Sequence, residues 1–148
     1  AGGMTVSEVI MNKDEFKSSS PQGEAELDEE TKKGLLKELY VHEELFLKKD
    51  MSGIKLLGGE IFDGEKVAVM EVKEGEKSSK RFYSIATGLL LGVSTTQQGQ
   101  EMVWKFTGYK AYDGIMFPSS SYNSLMKMDF VTKSVTINGK VDKKLFKF

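Results

Sequence analysis

The chain has 148 residues, of which 39% are hydrophobic, and its 21 basic and 22 acidic residues leave a formal net charge of -1. This length suits one hydrophobic core, so we expect a single domain over residues 1–148. A near-neutral chain creates no global field that would recruit polyanions, so nucleic acid is not an expected partner. The absence of cysteine excludes disulfides, thiol nucleophiles and thiolate metal sites.

The N-terminal third predicts one short strand and one helix. Thr5–Met11 alternates like a strand, and the polar stretch Ser18–Glu24 is typical of a loop. Asp28 then precedes "EETKKGLLKELYVHEELFLKK", with acidic residues in the first turn and lysines in the last, as the helix dipole favours. The start at Ala1 is more typical of a trimmed end than of natural initiation, so a removed leader, a lipid anchor or a larger parent chain stays open.

From Gly53 onward, regularly spaced turn signals predict antiparallel hairpins. These signals are Asp63-Gly64, Glu74-Gly75, Thr87-Gly88, Gln98-Gly99 and Asp113-Gly114. The predicted strands between them are Ile54–Phe62, Lys66–Lys73, Lys80–Ile85, Leu89–Thr96, Met102–Ala111, Ile115–Asp129 and Val131–Asn138. We expect an α+β fold in which a strongly curved antiparallel sheet of about seven strands, a half-barrel, packs around one main helix.

Apolar side chains alternate along several predicted strands. Met102, Trp104 and Phe106 would share one face of their strand, as would Leu89, Leu91 and Val93 on theirs. On the strand Ile115–Asp129, the alternation predicts that Tyr122, Ser124, Met126, Met128 and Phe130 lie together. Methionine adapts to irregular apolar surroundings, so these faces are either an ordinary core or the lining of an apolar ligand site.

The sequence supports no catalytic site. "HEELF", beginning at His42, starts like a zinc-peptidase motif, but Phe46 occupies the position of the second histidine and the chain has no other histidine. No Gly-x-Ser-x-Gly elbow or phosphate-binding glycine loop is present, and no pair of carboxylates stands out. We therefore expect no enzyme activity, no cofactor and no bound metal.

Four segments of the second half resemble the LolA-like superfamily of periplasmic lipoprotein carriers. They are "IKLLGGEIFDGEKVAVMEV", "RFYSIATGLLLGVSTT", "YKAYDGIMFPSSS" and "MDFVTKSVTINGKVDKKLFKF". They are most similar to an outer-membrane lipoprotein-sorting-like branch, which also occurs at the C-terminus of insulinase-type zinc peptidase chains. The matching positions are Gly58, Asp63-Gly64, Thr87-Gly88-Leu89, Tyr109, Asp113-Gly114, Phe117-Pro118, Asp142 and Leu145-Phe146.

The resemblance implies a curved sheet around a helix, an extracytoplasmic location in the periplasm or at the outer membrane of a bacterium, and a cavity for acyl chains. The matching residues are mostly turn and packing positions, so they indicate the fold more than a binding function. The chain also lacks the opening strand and helix of the carriers, which implies an incomplete or remodelled cavity.

Two functions follow as hypotheses. The first is a non-enzymatic binding protein for a lipid, a lipoprotein acyl chain or another apolar ligand. Its candidate lining residues are Phe82, Leu91, Met102, Trp104, Phe106, Phe117, Met126, Met128 and Phe130. The alternative is an accessory or interaction domain of a larger enzyme, such as an insulinase-type zinc peptidase, with no ligand of its own. A ligand cavity of ~300–1,000 Å³ would distinguish the first from the second.

Overall fold

A computed structural model describes residues 8–12, 15–20, 23–38, 42–97, 99–137, 139–140, 142 and 144. The chain forms two compact units, Ala1–Asp50 with Lys140–Phe148, and Met51–Gly139. Each unit is described by itself, and the single domain expected for residues 1–148 stays a prediction. None of the described helices is long and apolar enough to span a bilayer.

The first unit contains a small antiparallel sheet and two helices. Its strands, in the order β1–β2–β3, are β1 Glu8–Asn12, β2 Glu15–Ser20 and β3 Gly23–Ala25. The segment Ser18–Glu24, predicted as a loop, thus contributes to two paired strands among its described residues. The predicted strand Thr5–Met11 overlaps β1, while residues 5–7 lie outside the described residues.

The helical segment begins where the sequence predicts and is then interrupted. The backbone N–H of Thr31 donates to Oδ1 of Asp28 at 2.7 Å, so Asp28 caps the helix α1 Glu29–Glu38. A second helix, α2, spans Glu43–Leu47, and His42 before it is in a bend. The prediction of one continuous helix to Lys49 is therefore wrong at His42, and residues 39–41 of that prediction lie outside the described residues.

The second unit is a seven-stranded antiparallel sheet in the order β4–β5–β6–β7–β8–β11–β12, with β9 and β10 forming a separate two-stranded sheet. The strands are β4 Ile54–Phe62, β5 Glu65–Glu74, β6 Lys77–Ser84, β7 Leu90–Gln97, β8 Gln100–Thr107, β9 Lys110–Tyr112, β10 Ile115–Phe117, β11 Ser120–Asn123 and β12 Met128–Val131. The antiparallel sheet agrees with the prediction. The sheet is open, because β4 and β12 are its two edges among the described residues, so the half-barrel is not shown.

Two of the predicted turns have the backbone geometry that their sequences favour. Asp63 and Gly64 have φ angles of 52° and 86°, and Asp113 and Gly114 have angles of 47° and 81°. Positive φ at both central residues is the mark of the tight hairpin turn that matches the strand twist, and Asp-Gly is a preferred sequence for it. These turns fix the register of the β4–β5 and β9–β10 hairpins.

Three predicted strands in the C-terminal part are wrong. Met102–Ala111 is interrupted at residues 108 and 109, so its first part lies in β8 and its last two residues lie in β9 of the separate sheet. Ile115–Asp129 is divided into β10, β11 and the start of β12, with a break at Pro118 and a turn over residues 124–127. Val131 is the last residue of β12, and residues 132–137 form no strand, while Asn138 lies outside the described residues. Proline cannot donate to a strand ladder, which accounts for the break at Pro118.

The register sorts the side chains of the seven-stranded sheet onto two faces, because directly paired residues point the same way. Val69 pairs with Phe82, and Phe82 pairs with Gly92. Gly92 in turn pairs with Lys105, so Lys105 shares the face of Val69. Trp104, the neighbour of Lys105 in β8, therefore points to the opposite face.

The first of these faces, here called the valine face, carries a small buried cluster. Val67, Val69 and Phe82 are buried together, and Phe62 and Leu91 pack against them. The rings of Phe62 and Phe82 stack with centroids 4.3 Å apart and planes 10° apart. This cluster contains three of the four buried hydrophobic residues described in the second unit; the fourth, Val72, lies outside it.

Phe62 reaches over the valine face as far as β7. A Cβ atom placed on Gly92 would lie 2.5 Å from Cζ of Phe62. β4 and β7 are separated by β5 and β6, and three strand spacings of a flat sheet are about 14 Å. A phenylalanine side chain cannot span that distance, so the end of β4 bends toward the valine face and Gly92 leaves room for the ring.

The contact between Phe62 and Gly92 makes a prediction with a matched control. Gly92→Ala should lower the free energy of unfolding of the second unit by about 1–3 kcal/mol, because the methyl group overlaps the Phe62 ring and would lie 2.8 Å from the backbone oxygen of Trp104, so these neighbours must shift. Gly59→Ala, in β4, should change it by less than about 1 kcal/mol, because its added Cβ would be 3.5 Å from the nearest atom. Urea unfolding followed by the emission of Trp104, the single tryptophan, measures both. Equal stability of the two variants would contradict the contact.

Candidate apolar binding surface

The face opposite the valine face, here called the tryptophan face, carries aromatic and sulfur-bearing side chains on β8 and β12, the two strands on either side of β11. β8 places Met102, Trp104 and Phe106 on it by alternation, as the sequence predicted. β11 pairs with β8 on one side and with β12 on the other. The register continues the face across all three strands.

Two rows of paired residues cross these strands. In the first row, Trp104 pairs with Asn123, and Asn123 pairs with Met128. In the second row, Phe106 pairs with Ser121, and Ser121 pairs with Phe130. The small or polar residues on the middle strand leave the larger side chains of β8 and β12 free to approach each other above it.

Trp104 and Phe130 make that approach. Their ring centroids are 5.4 Å apart and their planes are tilted by 44°, a separation within the favourable range for aromatic pairs. The two residues belong to different rows, so the contact is diagonal and joins β8 to β12 over β11. The indole of Trp104 thus has the ring of Phe130 beside it, toward the edge strand β12.

Part of the tryptophan face is open to solvent. Met128 is 51% exposed and Phe130 is 41% exposed, while Met102, Trp104 and Phe106 are half-buried. Large apolar side chains exposed side by side are costly in water, and such patches commonly mark binding sites. The exposed end of the face is therefore the candidate site.

The buried side chain of Asn123 holds this end of the sheet in place. It is fully buried, and its Oδ1 accepts hydrogen bonds from the backbone N–H groups of Leu125 at 3.0 Å and Met126 at 2.9 Å. Its Nδ2 lies 3.4 Å from the sulfur of Met102, a weak acceptor. One amide thus fixes the turn between β11 and β12 and contacts β8, because a buried polar group needs such partners.

Ser124 attaches the same turn to β8. Its backbone N–H donates to the carbonyl of Val103 at 2.9 Å, and its hydroxyl accepts from the N–H of Val103 at 2.8 Å. The side-chain oxygen of Ser124 replaces the backbone carbonyl that a continuing strand would supply. The chain can therefore turn at this point without leaving a polar group of β8 unpaired.

The structure brings together five of the nine predicted lining residues, namely Met102, Trp104, Phe106, Met128 and Phe130. Met126 lies in the turn after β11 and is 59% exposed. The predicted face that joined Tyr122 to Met128 and Phe130 is wrong, because the turn reverses the chain and Tyr122 pairs with Asp129.

The other three predicted residues lie elsewhere. Phe82 and Leu91 belong to the buried cluster on the valine face. The register shifts between Gly92 and Leu90, so Leu91 is a bulge residue and does not share a face with Val93 as the alternation predicted. Phe117 lies in the separate β9–β10 hairpin, where its ring meets the edge of Tyr112 with centroids 6.0 Å apart.

Sequence reasoning missed Val93, which pairs with Trp104 on the tryptophan face, and Asn123. The signal for Asn123 was the pair Asn-Ser inside an otherwise apolar stretch, because both side chains readily bond to nearby backbone groups and favour turns.

The first unit contains a separate groove of a different character. Its volume is about 450 Å³, and it is lined by Phe16, Lys17, Ser18, Glu24, Glu26, Leu27 and Lys32. Lys17 pairs with Glu24 at 2.7 Å, and Lys32 pairs with Glu29 at 2.7 Å. The volume is within the range of ligand sites, but the lining is charged and includes none of the predicted residues.

The described residues offer no arrangement for metal chemistry. Among them, no group of three or more His, Asp or Glu side chains is placed to hold a metal ion. Asp63 of the Asp63-Gly64 turn pairs with Lys105 at 2.7 Å. Contacts between apolar side chains and a ligand are the chemistry that the tryptophan face can provide.

No family model, curated protein or solved structure matches this chain. The resemblance to the LolA-like carriers therefore stays a prediction from the sequence.

The role of Asn123 can be tested by unfolding. Asn123→Ala should lower the free energy of unfolding by about 1–3 kcal/mol, because the N–H groups of Leu125 and Met126 lose their acceptor. Ser121→Ala, on the same face of β11 and outside the turn, is the control and should change stability by less than about 0.5 kcal/mol. Urea titrations monitored by Trp104 emission measure both. An Asn123→Ala protein as stable as the control would contradict this role.

Proposed function

We propose that the chain is a non-enzymatic binding protein that holds an acyl chain or a similar apolar ligand against its tryptophan face. The observation that carries the proposal is the exposure of Met128 and Phe130 beside half-buried Trp104. The strands beneath the site are already hydrogen-bonded to one another, so binding does not have to order their backbone. The affinity then comes from apolar surface that the ligand removes from water.

The size of the surface is compatible with reversible binding. Covering about 200 Å² of apolar surface would contribute ~5 kcal/mol, before the cost of immobilising the ligand is subtracted. That balance favours weak binding, with a dissociation constant in about the millimolar range. Methionine side chains at Met102 and Met128 suit a ligand of variable shape, because an unbranched thioether adapts to irregular surfaces.

The proposal uses an open surface in place of the concave wall expected from the sequence. The local bend at Phe62 turns toward the valine face, away from Trp104. The sheet is open at β12, directly beside the exposed side chains. To enclose an acyl chain as a half-barrel, the sheet would have to curve around the tryptophan face. That curvature is part of the proposal.

The sequence resemblance to lipoprotein carriers favours the same ligand class and an extracytoplasmic location. We include both in the proposal, with a lipid or the acyl chain of a lipoprotein as the partner.

Trp104 is the direct reporter of this function, because it is the single tryptophan and lies within the site. Titration with oleate, kept below its micelle concentration, should change the tryptophan emission in a saturable way. Phe130→Ser and Met128→Gln should each weaken binding by roughly fivefold, since each removes apolar contact worth ~1 kcal/mol.

Val131→Ser is the matched control for the titration. Val131 follows Phe130 directly and is 70% exposed, but it pairs with Ser120 and points to the valine face. Its substitution should leave oleate affinity unchanged. A flat titration of the unmodified protein would overturn the proposal and favour the accessory-domain hypothesis. Equal weakening by Val131→Ser and Phe130→Ser would show that binding does not occur at the tryptophan face.

A further inference from the structure

The β4 edge of the seven-stranded sheet is long and carries several exposed apolar side chains. β4 has nine residues and, among the described residues, has a neighbouring strand on one side only. Leu56 and Ile61 are 61% and 62% exposed, and Leu57 is also exposed. β12, at the opposite edge, has only four residues. A long apolar edge strand presents unpaired backbone groups that favour the addition of another strand.

The order of residues along β4 is complementary to itself when the strand is reversed. Lys55 lies near one end and Glu60 near the other, and both are exposed. Ile54 and Ile61 lie outside them at either end. Two antiparallel β4 strands can be placed with their Gly58 residues opposite each other and with Leu57, the bulge residue, left out of the pairing. Lys55 of each strand then lies opposite Glu60 of the other, and Ile54 lies opposite Ile61.

The bulge in β4 makes these pairs possible on the same face. Lys55 pairs with Glu71, and Glu60 pairs with Val67. Positions 67 and 71 of β5 share a face, so Lys55 and Glu60 also share one. Without the extra residue between Leu56 and Gly58, two residues five positions apart in a strand would point to opposite faces.

The isoleucines at the two ends of β4 also share a face. Ile54 pairs with Val72, and Ile61 pairs with Lys66. These two partners are six positions apart in β5, so Ile54 and Ile61 share the other face. The centre of the strand is also open, because a Cβ atom placed on Gly58 would have nothing within 4 Å. Leu56 of one strand would then lie over Gly59 of the other.

We propose that a second copy of this chain pairs with the first through β4, antiparallel and about a two-fold axis at Gly58. The segments Ile54–Leu56 and Gly59–Ile61 on either side of the bulge lie opposite each other in the two copies. The N–H of Ile54 does not join the new ladder, because it already donates to the carbonyl of Met51 at 3.0 Å. Two Lys55–Glu60 ion pairs fix the register, and two contacts between Ile54 and Ile61 provide apolar burial. The isoleucine contacts lie on the tryptophan face but at its far edge, because β5, β6 and β7 separate β4 from β8. The interface therefore does not include the exposed end near β12, and this inference is independent of the proposed ligand.

Charge reversal tests the register. Sedimentation from micromolar to millimolar concentration should show a monomer–dimer equilibrium for the unmodified chain. Lys55→Glu and Glu60→Lys should each raise the dimer dissociation constant by about tenfold or more, because each turns two attractive cross-strand pairs into repulsive ones. The double variant Lys55→Glu/Glu60→Lys should restore it. Lys133→Glu, an exposed site outside the strands, is the control and should have no effect.

The absence of native cysteines allows a second test of the same geometry. In the proposed register, Lys55 faces Glu60 of the second copy, while the two Lys55 residues are about 13 Å apart. Because a disulfide needs Cα atoms within about 7 Å, a mixture of Lys55→Cys and Glu60→Cys chains should oxidise to a mixed dimer. Lys55→Cys alone should not cross-link.

Two results would overturn the inference. The first is an unmodified chain that stays monomeric up to millimolar concentration. The second is a dimer that neither charge reversal weakens, since its interface would then lie elsewhere. Circular dichroism of each variant checks that the fold is retained, which is expected because Lys55 and Glu60 are exposed.

Discussion

The buried amide of Asn123 is the constraint on which the tryptophan face depends. It accepts two backbone hydrogen bonds from the turn that follows β11, and its amino group contacts the sulfur of Met102 in β8. With the turn fixed, β12 returns beside β11 in a register that brings Phe130 to Trp104. A polar group at the centre of an apolar surface is stable only when its partners are complete, so the amide specifies one geometry for that surface.

The two faces of the sheet consequently have different roles. On the valine face, Val67, Val69 and Phe82 are buried as a core, and the stacked ring of Phe62 adds to it. On the tryptophan face, the side chains nearest β12 are exposed, although they are as apolar as those of the core. Other parts of the tryptophan face are buried, for example at Val72 and Arg81, while the exposed side chains near β12 are available for binding.

Local signals predicted much of the second unit. Asp63-Gly64 and Asp113-Gly114 determined two hairpins, and the period of two correctly placed Met102, Trp104 and Phe106 together. The predicted side-chain positions were wrong where a single residue interrupts the in-and-out alternation of a strand. The bulge at Leu91 moved that side chain to the core, and Asn123 turned the chain where the sequence predicted a continuous strand. Such effects depend on partners distant in sequence, which a local pattern does not contain.

An apolar ligand bound on the exposed end of the tryptophan face would lie close to two methionines, so methyl NMR can detect it. With methyl-labelled methionine and a spin-labelled stearic acid, the signals of Met102 and Met128 should broaden strongly. The signal of Met116, in the separate β9–β10 hairpin, should change little. Equal broadening of all three signals, or broadening of Met116 alone, would contradict binding at this end of the tryptophan face.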